Sequence, residues 1–325
     1  MKVINGIGEI DERLARPVLT VGNFDGVHIG HGHVIGLVVE RARKIEGTSV
    51  VMTFDPHSRV FFDPDSHEPM ITTLEQRLEL IESLGPEAVI IQRFDERFAS
   101  MDADDFVVKL LVEQLGIAEL FVSAKFTFGR GAAGNVALLE RAAGEHGFKL
   151  NVVENVHFRH SLVSSSFIRR AVLNGEMELA MRMLGRPYAI SGVVYADTQR
   201  GTDLLSCPTS NIRPENELIP INGIYVGAAK IGDDRFPTAT YIGTRPTFEG
   251  EKLVIEAHLL GYSGSLYGRV ISLEFFKKIR DDKKFPTPAH LQAQIDRDIA
   301  EVMAYFKRRK DEPTVKTLNW PGAER

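Results

Sequence analysis

The chain has 325 residues, of which 43% are hydrophobic and 26% charged, with a net charge of −5. This length supports about two domains with a core each, and an acidic chain without a long basic block is not expected to bind nucleic acid. Its single cysteine, Cys207, excludes an intramolecular disulfide and a cysteine-based metal cluster. No apolar run approaches a membrane span, and the opening residues, with Glu9, Asp11, Glu12 and Arg13, lack the apolar centre of a signal peptide. A cytoplasmic location without a membrane partner is expected.

The first telling element is the apolar run 17–21, read as a strand from Val18 to Val21. It leads into Gly22-Asn23-Phe24-Asp25-Gly26-Val27-His28-Ile29-Gly30-His31. A strand that ends in a glycine-punctuated turn and feeds a helix can aim backbone N–H groups at phosphate. His28 and His31 are three residues apart, so on that helix they share a face and can reach one anionic group. Two converging imidazoles suit transfer at phosphorus, where charge builds on phosphate oxygens. The plainer reading is a glycine-rich turn with two surface histidines. Val34, Leu37, Val38 and Ala42 continue at helical spacing, which supplies the expected helix.

Further short apolar runs at 49–54, 88–91, 119–122 and 149–153 read as strands of a parallel sheet, with helical patterns at 74–84, 103–115 and 136–147 between them. This is the pattern of a doubly wound nucleotide-binding domain, whose site lies at the carboxyl ends of its strands. Phe54-Asp55-Pro56-His57 and Phe126-Thr127-Phe128-Gly129 fall at that edge, where aromatic side chains can support a planar ring or simply pack the core. Ser164-Ser165-Ser166-Phe167-Ile168-Arg169 opens another helix. Its hydroxyls can be caps, while an arginine one turn on matches phosphate oxygens.

Beyond Leu184 the pattern changes to closely spaced strands at 189–196, 223–230, 236–242, 252–260 and 269–276, a small antiparallel barrel. Thr209 and Asn211 lie two apart in an extended segment and point to one side; such oxygen ligands suit Mg²⁺ with ATP phosphates. Glu256 alternates away from Ile255 and Ala257, either solvated or placed to accept a proton from an attacking alcohol. A last helix opens at Thr287-Pro288 with Leu291, Ile295, Ile299, Met303 and Phe306 as its apolar stripe. The tail from 311 on is expected to be loose.

In this order, GNFDGVHIGH (22–31), TFDPH (53–57), FTFG (126–129), SSSFIR (164–169), LGRPY (184–188), PTSN (208–211), NGIYVG (222–227), IGTRPTFEG (242–250), IEAHLL (255–260), SLYGR (265–269) and IRDDKKF (279–285) resemble the bacterial bifunctional riboflavin kinase/FMN adenylyltransferase family, also called FAD synthetase. The resemblance spans about residues 16–307. It implies an α/β chain: a Rossmann-like nucleotidyltransferase domain over 1–183, then a riboflavin-kinase barrel with a C-terminal helix over 184–325. The substrates implied are riboflavin, FMN and ATP, with Mg²⁺ in both steps and FAD as the final product.

By position, His28 and His31 would act on the α-phosphate of ATP, with Gly22, Phe24, Asp25, Ser164, Ser165, Ser166 and Arg169 holding the nucleotide. Phe54, Phe126, Phe128 and Arg280 would contact flavin, Thr209 and Asn211 would hold Mg²⁺, and Glu256 would be the kinase base. The chain also departs from the family. Where the kinase usually has Gly-Arg-x-Leu-Gly-Phe-Pro-Thr, this chain has Asp203 for the basic residue and Ser206 for a glycine. Ser123 and Lys125 replace the usual Gly and Asp/Asn before FTFG, Arg245 stands where asparagine is common, and Ser166 replaces threonine. These departures leave a second reading: a diverged flavin- or nucleotide-binding relative without turnover in one or both domains.

Overall fold

The structure is a computed structural model that describes residues 1–10, 13–65, 68–159, 161–195, 210–247 and 250–311. Thr209, Cys207, the altered stretch around Asp203 and Ser206, and the tail expected to be loose beyond Asp311 lie outside the described residues. The described chain divides into two compact units, Met1–Glu68 with Leu74–Ser164, and Pro69–Thr73 with the residues from Ser165 onward.

The first unit is a six-stranded sheet with order β1-β4-β3-β2-β5-β6 and parallel pairing throughout. Its strands are β1 (Lys2–Ile4), β2 (Val18–Val21), β3 (Ser49–Asp55), β4 (Ala88–Arg93), β5 (Glu119–Ser123) and β6 (Lys149–Val153). β2 is buried along its whole length and β3 over all but its last residue, as expected for strands covered on both faces. Leu19, Val21, Val50 and Met52 join one core with Phe106, Leu110, Leu111 and Leu139. Val18 and Val51 point the other way, onto Ile35, Val38, Val39 and Ala42 of α1 (Ile29–Ile45).

Chain order reverses direction across the sheet at β2, which has β3 on one side and β5 on the other. The crevice beyond the carboxyl end of such a strand is where open α/β sheets bind ligands. Short α2 (Ser58–Phe62) follows β3, α3 (Leu74–Ser83) precedes β4, and α4 (Glu96–Ala99) follows it. The predicted helix over 103–115 is one α-turn, α5 (Ala103–Asp105), running into a π-helix, Phe106–Gln114. α6 (Val136–His146) leads to β6, and a two-stranded hairpin, β7 (His157–Phe158) and β8 (Ser161–Leu162), ends the unit.

The second unit is a closed antiparallel barrel in the order β10-β13-β12-β11-β14-β9. The strands are β9 (Tyr188–Tyr195), β10 (Ser210–Pro214), β11 (Gly223–Ile231), β12 (Asp234–Thr247), β13 (Gly250–Leu259) and β14 (Val270–Arg280). The sequence pattern marks five strands; β10 is the sixth, too short and polar to announce itself, and its pairing with β9 and β13 closes the barrel. Tyr225, Phe275, Leu273, Ile190, Ile212, Ile242, Ile255 and Ala257 are buried. α7 (Ser165–Leu173) and α8 (Met177–Leu184) group with this unit, and Met181 packs against the same cluster as the barrel's Val226 and Phe276. The predicted boundary at 183/184 follows the change in periodicity instead.

The last helix, α9 (Pro288–Asp311), lies on β11 and β12. Its packed face overlaps the predicted stripe only in part: Asp298, Val302 and Tyr305 are buried and Phe306 packs beside them, whereas Met303 is 54% exposed. Asp298 meets Arg280 of β14 at 2.7 Å, so an ion pair joins the apolar contacts on the packed face of the helix.

Candidate active sites in two units

In the first unit the chain leaves β2 through a strained turn. Phe24 and Val27 have φ of 50° and 35°, a left-handed conformation that costs a non-glycine residue roughly 1–2 kcal/mol. Both side chains are buried, so packing holds the turn. His28 is the N-cap of α1: its Nδ1 accepts the backbone N–H of His31 at 3.2 Å. An acceptor Nδ1 places the proton of the neutral ring on Nε2. The rings of His28 and His31 stack with centroids 3.6 Å apart, and the Phe24 ring meets His31 edge-on. A Cβ at Gly30 would sit 3.1 Å from the His28 ring, so glycine there keeps room for the imidazole. Gly22 gives the same clearance to Phe24, and Asp25 is buried in the turn.

The turn is tied to the end of β3. The Asn23 side chain bonds Ser58, the Thr53 hydroxyl donates to the Asn23 carbonyl, and Arg77 of α3 donates to the carbonyls of both Asn23 and Phe54. His57 caps α2 through Nδ1.

Beside it runs an array of phenylalanines. Phe54 contacts Phe94 and Phe98; Phe61 and Phe62 contact Phe94; Phe98 leads to Phe106, Phe106 to Phe128, and Phe128 to Phe126. Phe54 and Phe128 are core residues, Phe126 is half-buried and Phe62 is 67% exposed. Sequence reasoning missed Phe61, Phe62, Phe94 and Phe98. The available signal was the Phe61-Phe62 pair after the β3 turn, more apolar surface than a five-residue helix can bury.

Ser164 closes the first unit, and Ser165 and Ser166 open α7 in the second. Arg169 is buried, with Nε donating to the Pro69 carbonyl at 2.7 Å. Segment 69–73 is bound further by Glu217, Asn216 and Leu218.

In the barrel a transverse row forms by register: Tyr195 pairs with Asn211, Asn211 with Glu256, and Glu256 with Tyr241. Directly paired residues share a face, and the buried Ile255 and Ala257 flank Glu256, so this row lies outside the barrel wall. Asn211 is 9% exposed and its Oδ1 has no hydrogen-bond partner among the described residues. Glu256 Oε1 takes a 2.6 Å bond from Arg245. Tyr241 donates to Asp282 at 3.1 Å, and burial and that carboxylate push its hydroxyl up to about 12.

Comparison with known proteins agrees with this two-part layout. Residues 10–167 match the family described as FAD synthetase and residues 184–306 the family described as riboflavin kinase. A curated relative from Escherichia coli (strain K12), the bifunctional riboflavin kinase/FMN adenylyltransferase, is 36% identical over 309 residues, 94% of this chain and 98% of the relative. The chain belongs to the bifunctional riboflavin kinase/FMN adenylyltransferase family. The relative of the same description from Bacillus subtilis (strain 168) is 34% identical, covering 91% of this chain and 95% of its own. A solved Streptococcus pneumoniae structure described as a macrolide-efflux protein has the same fold, with a TM-score of 0.84 and 24% identity over 93% of this chain and 98% of that one.

Within this family member, the structure brings Gly22, Phe24, Asp25, His28 and His31 together in one turn, and Asn211 and Glu256 onto one row. Arg280 is engaged: its guanidinium chelates Asp298, Nη1 donates to the Asp281 carbonyl, and its plane lies over Phe285. Among the described residues no cluster of three or more His, Cys, Asp or Glu could hold a metal ion, and no helix is long and apolar enough to cross a membrane.

Proposed function

We propose that the chain makes FAD in two steps, phosphorylating riboflavin to FMN on the barrel and adenylylating FMN on the sheet unit. The observation that carries the reading is the stacked His28–His31 pair at the start of α1, on the turn beyond β2, with His28 buried and His31 half-buried. In adenylyl transfer an FMN phosphate oxygen bonds to the α-phosphorus of ATP, and the α–β bridging oxygen leaves with pyrophosphate. His28 and His31 stabilise the charge on the α-phosphate oxygens, strongest where water is excluded. Gly22, Phe24 and Asp25 shape the nucleotide site, and Ser164, Ser165, Ser166 and Arg169 are assigned to the remaining phosphates. The flavin ring rests on the aromatic array, with half-buried Phe126 and exposed Phe62 offering ring surface and Phe54 and Phe128 supporting them from the core.

In the kinase step the riboflavin hydroxyl oxygen bonds to the γ-phosphorus, ADP leaves, and Glu256 takes the hydroxyl proton. Arg245 occupies one carboxylate oxygen of Glu256, and the other accepts. The buried Asn211 Oδ1, without a hydrogen-bond partner among the described residues, is a hard oxygen that suits Mg²⁺, so Asn211, with Thr209, would hold it. When bound, Mg²⁺ neutralises phosphate charge on ATP. Arg280 serves the flavin site by fixing the loop after β14 through Asp298 and Asp281. We assign the protein to the cytoplasm, with domains 1–183 and 184–325 and with neither nucleic acid nor membrane as a partner.

The test is incubation with ATP and Mg²⁺ and either FMN or riboflavin, followed by chromatography. FAD from FMN, lost in His28→Ala, is expected; so is FMN from riboflavin, lost in Asn211→Ala. Tight flavin binding without product in either assay would instead favour the non-catalytic reading.

A further inference from the structure

Arg77 belongs to none of the motifs in the sequence, yet it is 6% exposed and inserts between the turn after β2 and the end of β3. Nη1 donates to the Asn23 carbonyl and Nη2 to the Phe54 carbonyl, each at 3.0 Å. Nε is buried with no hydrogen-bond partner among the described residues. The surrounding charges are Asp25, Asp55 and Glu75, which oppose the depression of its pKa by burial.

A buried cation is a poor device for stability alone, because apolar residues of the same volume commonly serve as well or better. The carbonyls it holds indicate another role. Asn23 immediately precedes Phe24, the first left-handed residue of the turn, and its carbonyl also takes the Thr53 hydroxyl at 3.1 Å. Such strain persists only where the surroundings over-determine it. Two donors on one carbonyl fix the Asn23–Phe24 peptide plane. The second arm of Arg77 fixes the end of β3, so the turn keeps its place relative to the sheet edge. Four residues beyond Phe24, this places His28.

We propose that Arg77 is a positioning residue for adenylyl transfer, clamping the Asn23 and Phe54 carbonyls so that His28 and His31 stay aimed at the reacting phosphate. The inference rests on the reading of residues 22–31 as the adenylyl-transfer site. A clamp of this kind acts on alignment, and a misplacement of about 1 Å costs up to roughly 100-fold in rate.

The experiment compares Arg77→Met, Arg77→Lys and Thr53→Val with the full-length wild type. FAD formation is measured for kcat and KM of ATP, riboflavin phosphorylation serves as a reference in the same molecule, and amide hydrogen exchange is followed over residues 22–28. Arg77→Met is expected to lower kcat roughly 10- to 100-fold with KM for ATP within about threefold, to leave FMN formation unchanged and to speed exchange in the turn. Arg77→Lys, which reaches one carbonyl, recovers part of the rate, and Thr53→Val gives a smaller loss in the same direction. Wild-type kcat in Arg77→Met, a lysine variant no better than methionine, or a loss confined to KM overturns the proposal. If Arg77→Met does not fold, wild-type kcat and exchange in both Arg77→Lys and Thr53→Val overturn it. A wild type that makes no FAD sinks the functional reading instead, and exchange in the turn still decides the clamp.

Discussion

The two sites are built on opposite principles. The site proposed on the sheet unit centres on ten consecutive residues: one turn, one helix start and two histidines whose spacing follows from helical geometry. The site proposed on the barrel is assembled by register, with Asn211 and Glu256 in a row with Tyr195 and Tyr241 from four strands. A local site depends on a backbone conformation and on whatever holds it. A register site depends on closure of the barrel, since sliding β10 or β13 by one residue turns each side chain to the other face. Local lesions should therefore be selective in the first unit, whereas in the second the outer elements that lock the barrel also matter.

The sharpest way to break this comparison is at the proposed base. Glu256→Gln keeps the shape and should lower FMN formation roughly 10²- to 10⁴-fold, while FAD formation from supplied FMN stays unchanged in the same sample. His28→Ala is the mirror test. Loss of one preorganised donor should slow FAD formation by roughly 10²- to 10³-fold and spare FMN formation. If either variant loses both activities, the sites are not chemically separable as described.

A third variant tests the lock on the barrel. Asp298→Asn leaves Arg280 with a neutral partner, and breaking a buried pair costs about 3–5 kcal/mol. Calorimetry should show a lower unfolding temperature for the second unit. An unchanged transition would mean that apolar contacts of Val302 and Tyr305 alone dock α9.

The smallest effect expected is a titration. Tyr241 is pushed up to about 12 by burial and by Asp282, with Glu256 adding to the rise and Arg245 opposing it. Its folded value lies above the unfolded one near 10, so its contribution to stability is complete below about pH 10 and is lost as pH climbs towards about 12. Asp282→Asn should bring phenolate formation to lower pH in an ultraviolet titration. An unmoved curve would remove Asp282 as the cause.

Much of the first unit was legible because parallel, doubly covered strands are written as continuous apolar runs. All five strands predicted there are present; three-residue β1 and the two-residue strands β7 and β8 were missed. The His28–His31 pair was legible for the same reason: both its spacing and its helix are local. Arg77 was not, because an arginine as the fourth residue of Leu74–Ser83 looks like any solvated helix charge until the sheet edge covers it. The exposed Phe62 has a similar explanation: adjacency in the sequence does not tell which aromatic ring is covered by neighbours. In the barrel, β10 escaped because five polar-leaning residues carry little periodicity, and it is held by pairing with β9 before it and with β13, which is distant in sequence.

The amino-acid sequence by itself determined the order of elements, the helix start bearing two imidazoles, the family and the two chemistries that follow from it. These depend on neighbours within a turn or two, where backbone geometry is short-ranged. Only the tertiary structure decided that Arg77 reaches two carbonyls at once, that Arg245 meets Glu256, and that Asp298 pairs with Arg280 beside the apolar contacts of α9. Each of those joins groups far apart along the chain, and a charged side chain is free to be solvated, paired or buried until the fold brings its partner within hydrogen-bond distance.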